Sequence, residues 1–209
     1  MNQPITYFPL YAWDNLPQMP KTGDPSKLCP AISFINDFNA LRGDLKHHAI
    51  DLFAPEGTPI IAPVSGVLWA NKALGDQYNE YSYFERGGWH CYIFGDDGRI
   101  HYFAHMLGRP LLEPGHRVTA GTIIGFVGQS GVVYGCPHLH YAMYAVREDG
   151  SKGSAINPYP FLVEAYEFTT GRKPPVHKRP YATIGLASLV MVPILVVIGV
   201  LSSRKKRRR

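Results

Sequence analysis

PGHRVTAGTIIGFVGQSGVVYGCPHLHYAMYAV, residues 114–146, is the stretch whose reading decides the fold. Pro114-Gly115, Ala120-Gly121 and the Gly128–Gly131 segment punctuate it as turns. Between them, Thr122–Val127 and His138–Val146 are short apolar runs that read as strands. Upstream the same texture continues. Pro59–Ala62, Gly66–Ala70, His90–Phe94 and Ile100–His105 are further candidate strands, and Asp96-Asp97-Gly98 is a further turn. Short strands at close spacing with glycine-marked turns predict an antiparallel all-β domain. Asp76–Gly88 interrupts the pattern. It is polar, carries Tyr78, Tyr81 and Tyr83, and reads as a loop whose aromatics serve either as a groove lip or as ordinary loop residues.

The chain of 209 residues suffices for one domain with a substantial core plus an appendage. Its 21 Gly and 18 Pro favour turns over long helices. The net charge of +5 conceals two regions: residues 1–170 hold 11 Lys/Arg against all 16 Asp/Glu, while residues 171–209 hold 10 Lys/Arg and no acid. The domain itself is therefore mildly acidic, and a nucleic-acid partner, which needs a basic face, is not expected. Three cysteines, Cys29, Cys91 and Cys136, without C-x-x-C spacing exclude a repeated zinc-finger or dithiol redox motif. One disulfide with one free thiol and three buried thiols are both compatible with that count.

Three histidine-bearing pieces point to a metal. His47 and Asp51 stand four apart, with His48 as a neighbouring alternative to His47. His138 and His140 stand two apart, so a strand aims both imidazoles at one face. His105 ends the Ile100–His105 run, in which His101 shares its expected face. Neutral imidazoles and a carboxylate are zinc donors, and a catalytic zinc keeps one position open for water. His90, His116 and His177 are expected to be solvated or turn residues. Cys136, two residues before His138, is expected to be a small residue in a tight loop, with a soft metal ligand as the alternative.

In order and spacing these pieces resemble the lysostaphin-type, or LytM-domain, zinc endopeptidases, over about residues 38–162. The matching positions are His47/Asp51, Gly57-Thr58-Pro59, Phe103-Ala104-His105, Gly115 to Gly125, Gly128-Gln129-Ser130-Gly131 and His138-Leu139-His140, with Asn157-Pro158 and Phe161-Leu162 similar to the closing segment. The resemblance implies an antiparallel barrel-sandwich hybrid. It implies that His47, Asp51 and His140 bind Zn2+, and that His105 and His138 are catalytic without binding it. The substrate it implies is the peptide part of bacterial peptidoglycan, with Gly–Gly bridges and D-Ala–diamino-acid cross-links both open. Ala49, Phe103 and Ala142 depart from the family's usual Gly, Tyr and Glu, and none of the three is a family metal ligand. A non-catalytic module of the same fold that binds or regulates wall hydrolases is the alternative. A biotinyl or lipoyl carrier is disfavoured because no lysine stands between methionines at a hairpin tip.

The expected organisation is an irregular N-terminal lead-in over 1–37, the peptidase domain over 38–165, a Pro-rich basic linker over 166–180, a transmembrane helix over 181–201 and a basic cytoplasmic tail over 202–209. The uncharged stretch 181–201 spans roughly 31 Å as a helix, near a bilayer's hydrocarbon thickness. The cytoplasmic membrane is thus an expected partner. Four Lys/Arg precede the stretch and six follow it, a bias that favours a cytoplasmic C-terminus with the domain on the periplasmic or exterior side, a tail-anchored protein with its domain inside being the alternative. The start MNQPITYFPLYAWDN lacks the pattern of a cleavable signal peptide, which opposes that orientation. The sequence carries no signal for an oligomeric state.

Overall fold

A computed structural model describes residues 5–11, 20–21, 24–29, 31–68, 86–133 and 135–174. Five strands carry the site and its floor: β5 (Ile50–Phe53), β7 (Gly66–Leu68), β8 (Cys91–Gly95), β9 (Arg99–Ala104) and β12 (His138–Val146). They lie in one antiparallel sheet in the order β10-β7-β8-β9-β12, where β10 is Arg117–Val118. The far edge of β12 is shared by β5, along His138–Tyr141, and by β13 (Lys152–Ile156), along Met143–Val146. A separate ribbon pairs β6 (Pro59–Ile61) with β11 (Ile123–Phe126). Two small hairpins, β1 (Pro20–Lys21) with β2 (Asp24–Leu28) and β3 (Leu41–Arg42) with β4 (Leu45–Lys46), complete the strands.

The period-two pattern divides β12 cleanly. Leu139, Tyr141 and Met143 point into the main core with Ile50, Leu52, Ile93 and Phe103. His138 and His140 point to the opposite face. The expected lead-in contributes to that core: Ile5, Phe8, Leu10 and Phe34 are buried in it, and Phe8 stacks edge-on against Tyr166 at 5.0 Å.

Tyr166 belongs to α1 (Tyr159–Thr170), a helix that the all-β expectation lacked. Its signals are local. The Asn157 side chain accepts the Tyr159 amide hydrogen at 3.0 Å, Pro160 stands in the first turn, and Gly171 ends the helix at φ 66°. Leu162, Ala165 and Tyr166 bury one side of it. The helix crosses residue 165, the expected end of the domain, because its buried side continues past that point. The chain is thus mostly antiparallel sheet with one helix among the described residues. None of its described helices is long and apolar enough to cross a membrane. The expected transmembrane stretch 181–201 lies outside the described residues, as do the Tyr78, Tyr81 and Tyr83 loop and His177.

Candidate metal centre

The pairing of β5 with β12 sets His140 directly opposite Asp51. Directly opposed residues share a sheet face, so the carboxylate and the imidazole meet across strands distant in sequence. His47 comes from just ahead of β5, where its amide donates to Ala40 O at 2.8 Å and its carbonyl accepts from Asn39 at 2.7 Å. Three donor atoms converge: His47 Nε2 lies 3.1 Å from Asp51 Oδ1 and 3.1 Å from His140 Nδ1, and His140 Nδ1 lies 3.2 Å from Asp51 Oδ1. These are the three residues grouped as able to hold a metal ion. A tetrahedral ion bound at about 2.0–2.2 Å needs donors roughly 3.3–3.6 Å apart. The triangle needs only slight widening to meet that, and its two imidazoles and one carboxylate are a zinc-type donor set.

Two residues that sequence reasoning missed brace the triangle. Asp37 Oδ2 lies 3.0 Å from His47 Nδ1, the carboxylate-to-histidine contact that orients a metal-binding ring. Arg42 pairs with Asp51 Oδ2 and lies 3.1 Å from Asp37 Oδ2. No sequence motif marks Asp37, since only the β3–β4 hairpin and the loop before it bring it against His47. Arg42 sits five residues from His47 across the β3–β4 hairpin, and without knowledge of that hairpin the spacing conveys nothing.

The electrostatics follow from burial and these partners. Burial works against the Asp51 anion, yet His138, His140 and His47 together hold its carboxyl well below the usual carboxylate range. Burial lowers His47 too, but hydrogen bonds to Asp37 and Asp51 outweigh it and raise the imidazole to about 9. An entering ion competes with that proton. His140 is pushed down, first by burial.

His105 and His138 border the triangle, their rings 5.0 Å apart, with the His105 ring 5.6 Å from that of His140. Each Nδ1 meets a backbone carbonyl, Ser130 O for His105 at 2.9 Å and Cys136 O for His138 at 2.9 Å. A carbonyl only accepts, so each Nδ1 carries the hydrogen and Nε2 is the working nitrogen. His138 Nε2 lies 3.6 Å from Asp51 Oδ1. Burial, and then the neighbouring His138 and His140, press His105 down to about 3, which keeps it neutral.

His105 and His101 do not share a face, against the expectation. The strand ends at Ala104, and His105 adopts φ 62°. That left-handed residue breaks the alternation and swings His105 towards the triangle, while His101 stays on the core side against Tyr141. Side chains other than glycine rarely take this conformation, and such residues cluster at functional sites. The surroundings over-determine it. The His105 amide donates to Gly87 O at 2.8 Å, and Ser130 Oγ donates to Met106 O at 2.7 Å while accepting from the Trp89 amide at 2.8 Å. Gly88, at φ 57°, is required there: a Cβ would lie 2.3 Å from the Ser130 carbonyl carbon.

The other candidates fall outside the site. His48 is exposed beside Phe38. His116 is an exposed turn residue, its Nδ1 donating to Glu113 O at 2.9 Å. His90, expected to be a solvated or turn residue, is buried just ahead of β8, its Nδ1 donating to Gly88 O at 2.7 Å. Cys136 is neither a ligand nor merely a small loop residue, since it is disulfide-bonded to Cys29, leaving Cys91 as a buried free thiol.

Residues 45–158 match Peptidase family M23. The peptidoglycan DD-endopeptidase ShyC of Vibrio cholerae is 38% identical over 100 residues, 47% of this chain and 20% of that protein. The glycyl-glycine endopeptidase ALE-1 of Staphylococcus capitis is 32% identical over 123 residues, 57% of this chain and 30% of its own length. The chain thus spans less than a third of these curated relatives. The lysostaphin catalytic domain of Staphylococcus simulans superposes with a TM-score of 0.50 at 26% identity, covering 63% of this chain and 92% of that one. The lytM protein of Ruminococcus gnavus does so with a TM-score of 0.58 at 25% identity, covering 84% and 64%.

Proposed function

Since the chain belongs to Peptidase family M23, we propose that it is a zinc-dependent endopeptidase that hydrolyses peptide bonds of bacterial peptidoglycan. The observation that carries this reading is the donor triangle of His47, Asp51 and His140 with two carbonyl-anchored histidines at its border. Zinc held by those three residues supplies Lewis-acid chemistry, acidifying water and polarising a carbonyl. His105, kept neutral by its buried setting, takes the proton of the attacking water at Nε2. His138, through Nε2, hydrogen-bonds the developing oxyanion and then passes a proton to the departing amine. Asp37 and Arg42 hold the ligands so that neither imidazole nor carboxylate rotates out of the triangle. The substrate class is supported by relatives whose names specify peptidoglycan and glycyl-glycine endopeptidases.

The test is digestion of purified peptidoglycan with the zinc-loaded chain, the fragments read by mass spectrometry. New amino termini within the peptide part are expected, together with one zinc per chain. A chain that binds stoichiometric zinc and releases no fragment would instead be a binding module.

The domain is further proposed to act outside the cytoplasmic membrane, where the mature polymer lies and where a disulfide such as Cys29–Cys136 persists. Protease added to intact spheroplasts is expected to degrade residues 1–170. Their survival until the membrane is broken would place the domain in the cytoplasm.

A further inference from the structure

The carbonyl that holds His138 belongs to a disulfide-bonded residue. Cys136 O accepts the His138 Nδ1 hydrogen at 2.9 Å, and the Cys136 side chain is bonded to Cys29, 107 positions earlier, with the two Cα atoms 5.6 Å apart. Cys29 and Cys136 are buried together with Phe53 in a small cluster separate from the main core. Phe53 stands opposite His138 in the β5–β12 pairing, and its ring lies 5.5 Å from the imidazole. Phe53 is in turn tied to Ser33 by two backbone hydrogen bonds of 2.9 and 3.1 Å. His138 is thus gripped on two sides, by the Cys136 carbonyl and by the Phe53 ring, and both rest on the disulfide.

The segment that bears Cys136 needs such a clamp. It follows Gly131 and Gly135, both at positive φ, and enters β12 only at His138. A glycine-bearing loop has wide backbone freedom, so a carbonyl within it is a poor anchor unless something else holds it. The metal donors do not depend on this loop. Asp51 and His140 are registered by strand pairing, and His47 is held by Asp37 and by backbone hydrogen bonds to Asn39 and Ala40.

We propose that the Cys29–Cys136 disulfide is a positioning element for His138: it fixes the carbonyl that sets the orientation and tautomer of the imidazole, so that proton transfer depends on it while metal binding does not. The idea rests on the reading of His138 as the proton donor. Forming the bond by thiol–disulfide exchange takes two electrons and two protons from the Cys29 and Cys136 thiols and passes them to an oxidant disulfide, which leaves as two thiols. The domain accordingly reaches full activity only where such an oxidant operates.

The experiment is a double-mutant cycle on the full chain between Cys29→Ala/Cys136→Ala and His138→Ala, reading kcat, KM and bound zinc. Alone, loss of the disulfide is expected to lower kcat by about 10–100-fold, part of the roughly 10²–10⁴ of a general acid, with KM and zinc stoichiometry unchanged. In the His138→Ala background, loss of the disulfide should cost nothing further, a non-additivity that a general structural role would not produce. Equal losses in both backgrounds, loss of zinc with the disulfide, or an unchanged kcat would each overturn the proposal. Near-normal turnover in His138→Ala alone would sink the reading beneath it, and that arm is scored separately. Should the cysteine variant not fold, the folded oxidised chain is reduced with tris(2-carboxyethyl)phosphine, which yields two thiols and one phosphine oxide at the expense of one water. The kcat of wild type should then fall while the residual rate of His138→Ala stays constant, and a parallel fall in both refutes the idea.

Discussion

His47–Asp51 and Asp97–His101 are both histidine–aspartate pairs four residues apart, and both close to near hydrogen-bond distance, 3.1 Å in the first and 3.2 Å in the second. They serve opposite ends. His101 is fully buried on the core face of the sheet. Its Nε2 meets Asp97 and its Nδ1 meets the Tyr141 hydroxyl at 2.7 Å, while Asp97 also pairs with Arg99 at 3.0 Å. Because a carboxylate only accepts, Nε2 carries the hydrogen, and no lone pair is left over for a cation. His47 instead uses Nδ1 on Asp37 and turns Nε2 towards Asp51 and His140, the latter side chain 23% exposed. Spacing makes a pair; a third donor on a more accessible face makes a candidate metal site.

The comparison can be broken by exchanging losses between the two pairs. Asp51→Ala should remove stoichiometric zinc and reduce hydrolysis by at least about 10³-fold, the upper range for one electrostatic group, whereas Asp97→Ala should keep one zinc per chain, as read by elemental analysis. Next in size, His105→Ala and His138→Ala should retain zinc and lose roughly 10²–10⁴ in kcat. A variant near wild-type turnover removes that residue from the mechanism. Asp37→Ala should then weaken zinc by about 10–100-fold in a chelator competition, as expected when the partner that orients a ligand is lost. Unchanged affinity would mean that His47 orients itself.

A smaller effect sharpens the structural side. Burial works against the Asp97 anion, but His101, and then Arg99, hold its carboxyl below the ordinary value. A lowered folded-state pKa stabilises the fold above the unfolded value of about 3.9, and that stability is lost as pH falls through the folded value. Asp97→Asn should cost about 1–3 kcal/mol near neutrality and flatten the decline of stability below pH 4 in denaturant titrations. An unaltered acid limb would show that the pair is not what fails first in acid. The least change is expected from His48→Ala. It should leave zinc intact and shift stability by less than about 0.5 kcal/mol, while His47→Ala loses the metal.

Much of the site was legible because its grammar is local. His138 and His140 share a face through the two-residue period alone, and β12 begins and ends where the apolar run does. The glycine turns and the Asn157 and Gly171 helix boundaries are equally local, although the prevailing short-strand texture masks the helix between them. His101 and His105 misled the same rule, because the period holds only while the backbone stays extended and His105 does not.

By itself the sequence supplied the candidates for the site, five histidine and aspartate positions, together with the strand pattern that carries them and the motifs by which the family is matched. Only the tertiary structure decided which lone pairs remain available. It brought Asp51 against His140 across 89 positions, Asp37 onto His47, Tyr141 onto His101 and Cys29 onto Cys136 across 107. Such pairings depend on strand register and loop closure over the whole chain, and short-range spacing holds no information about either.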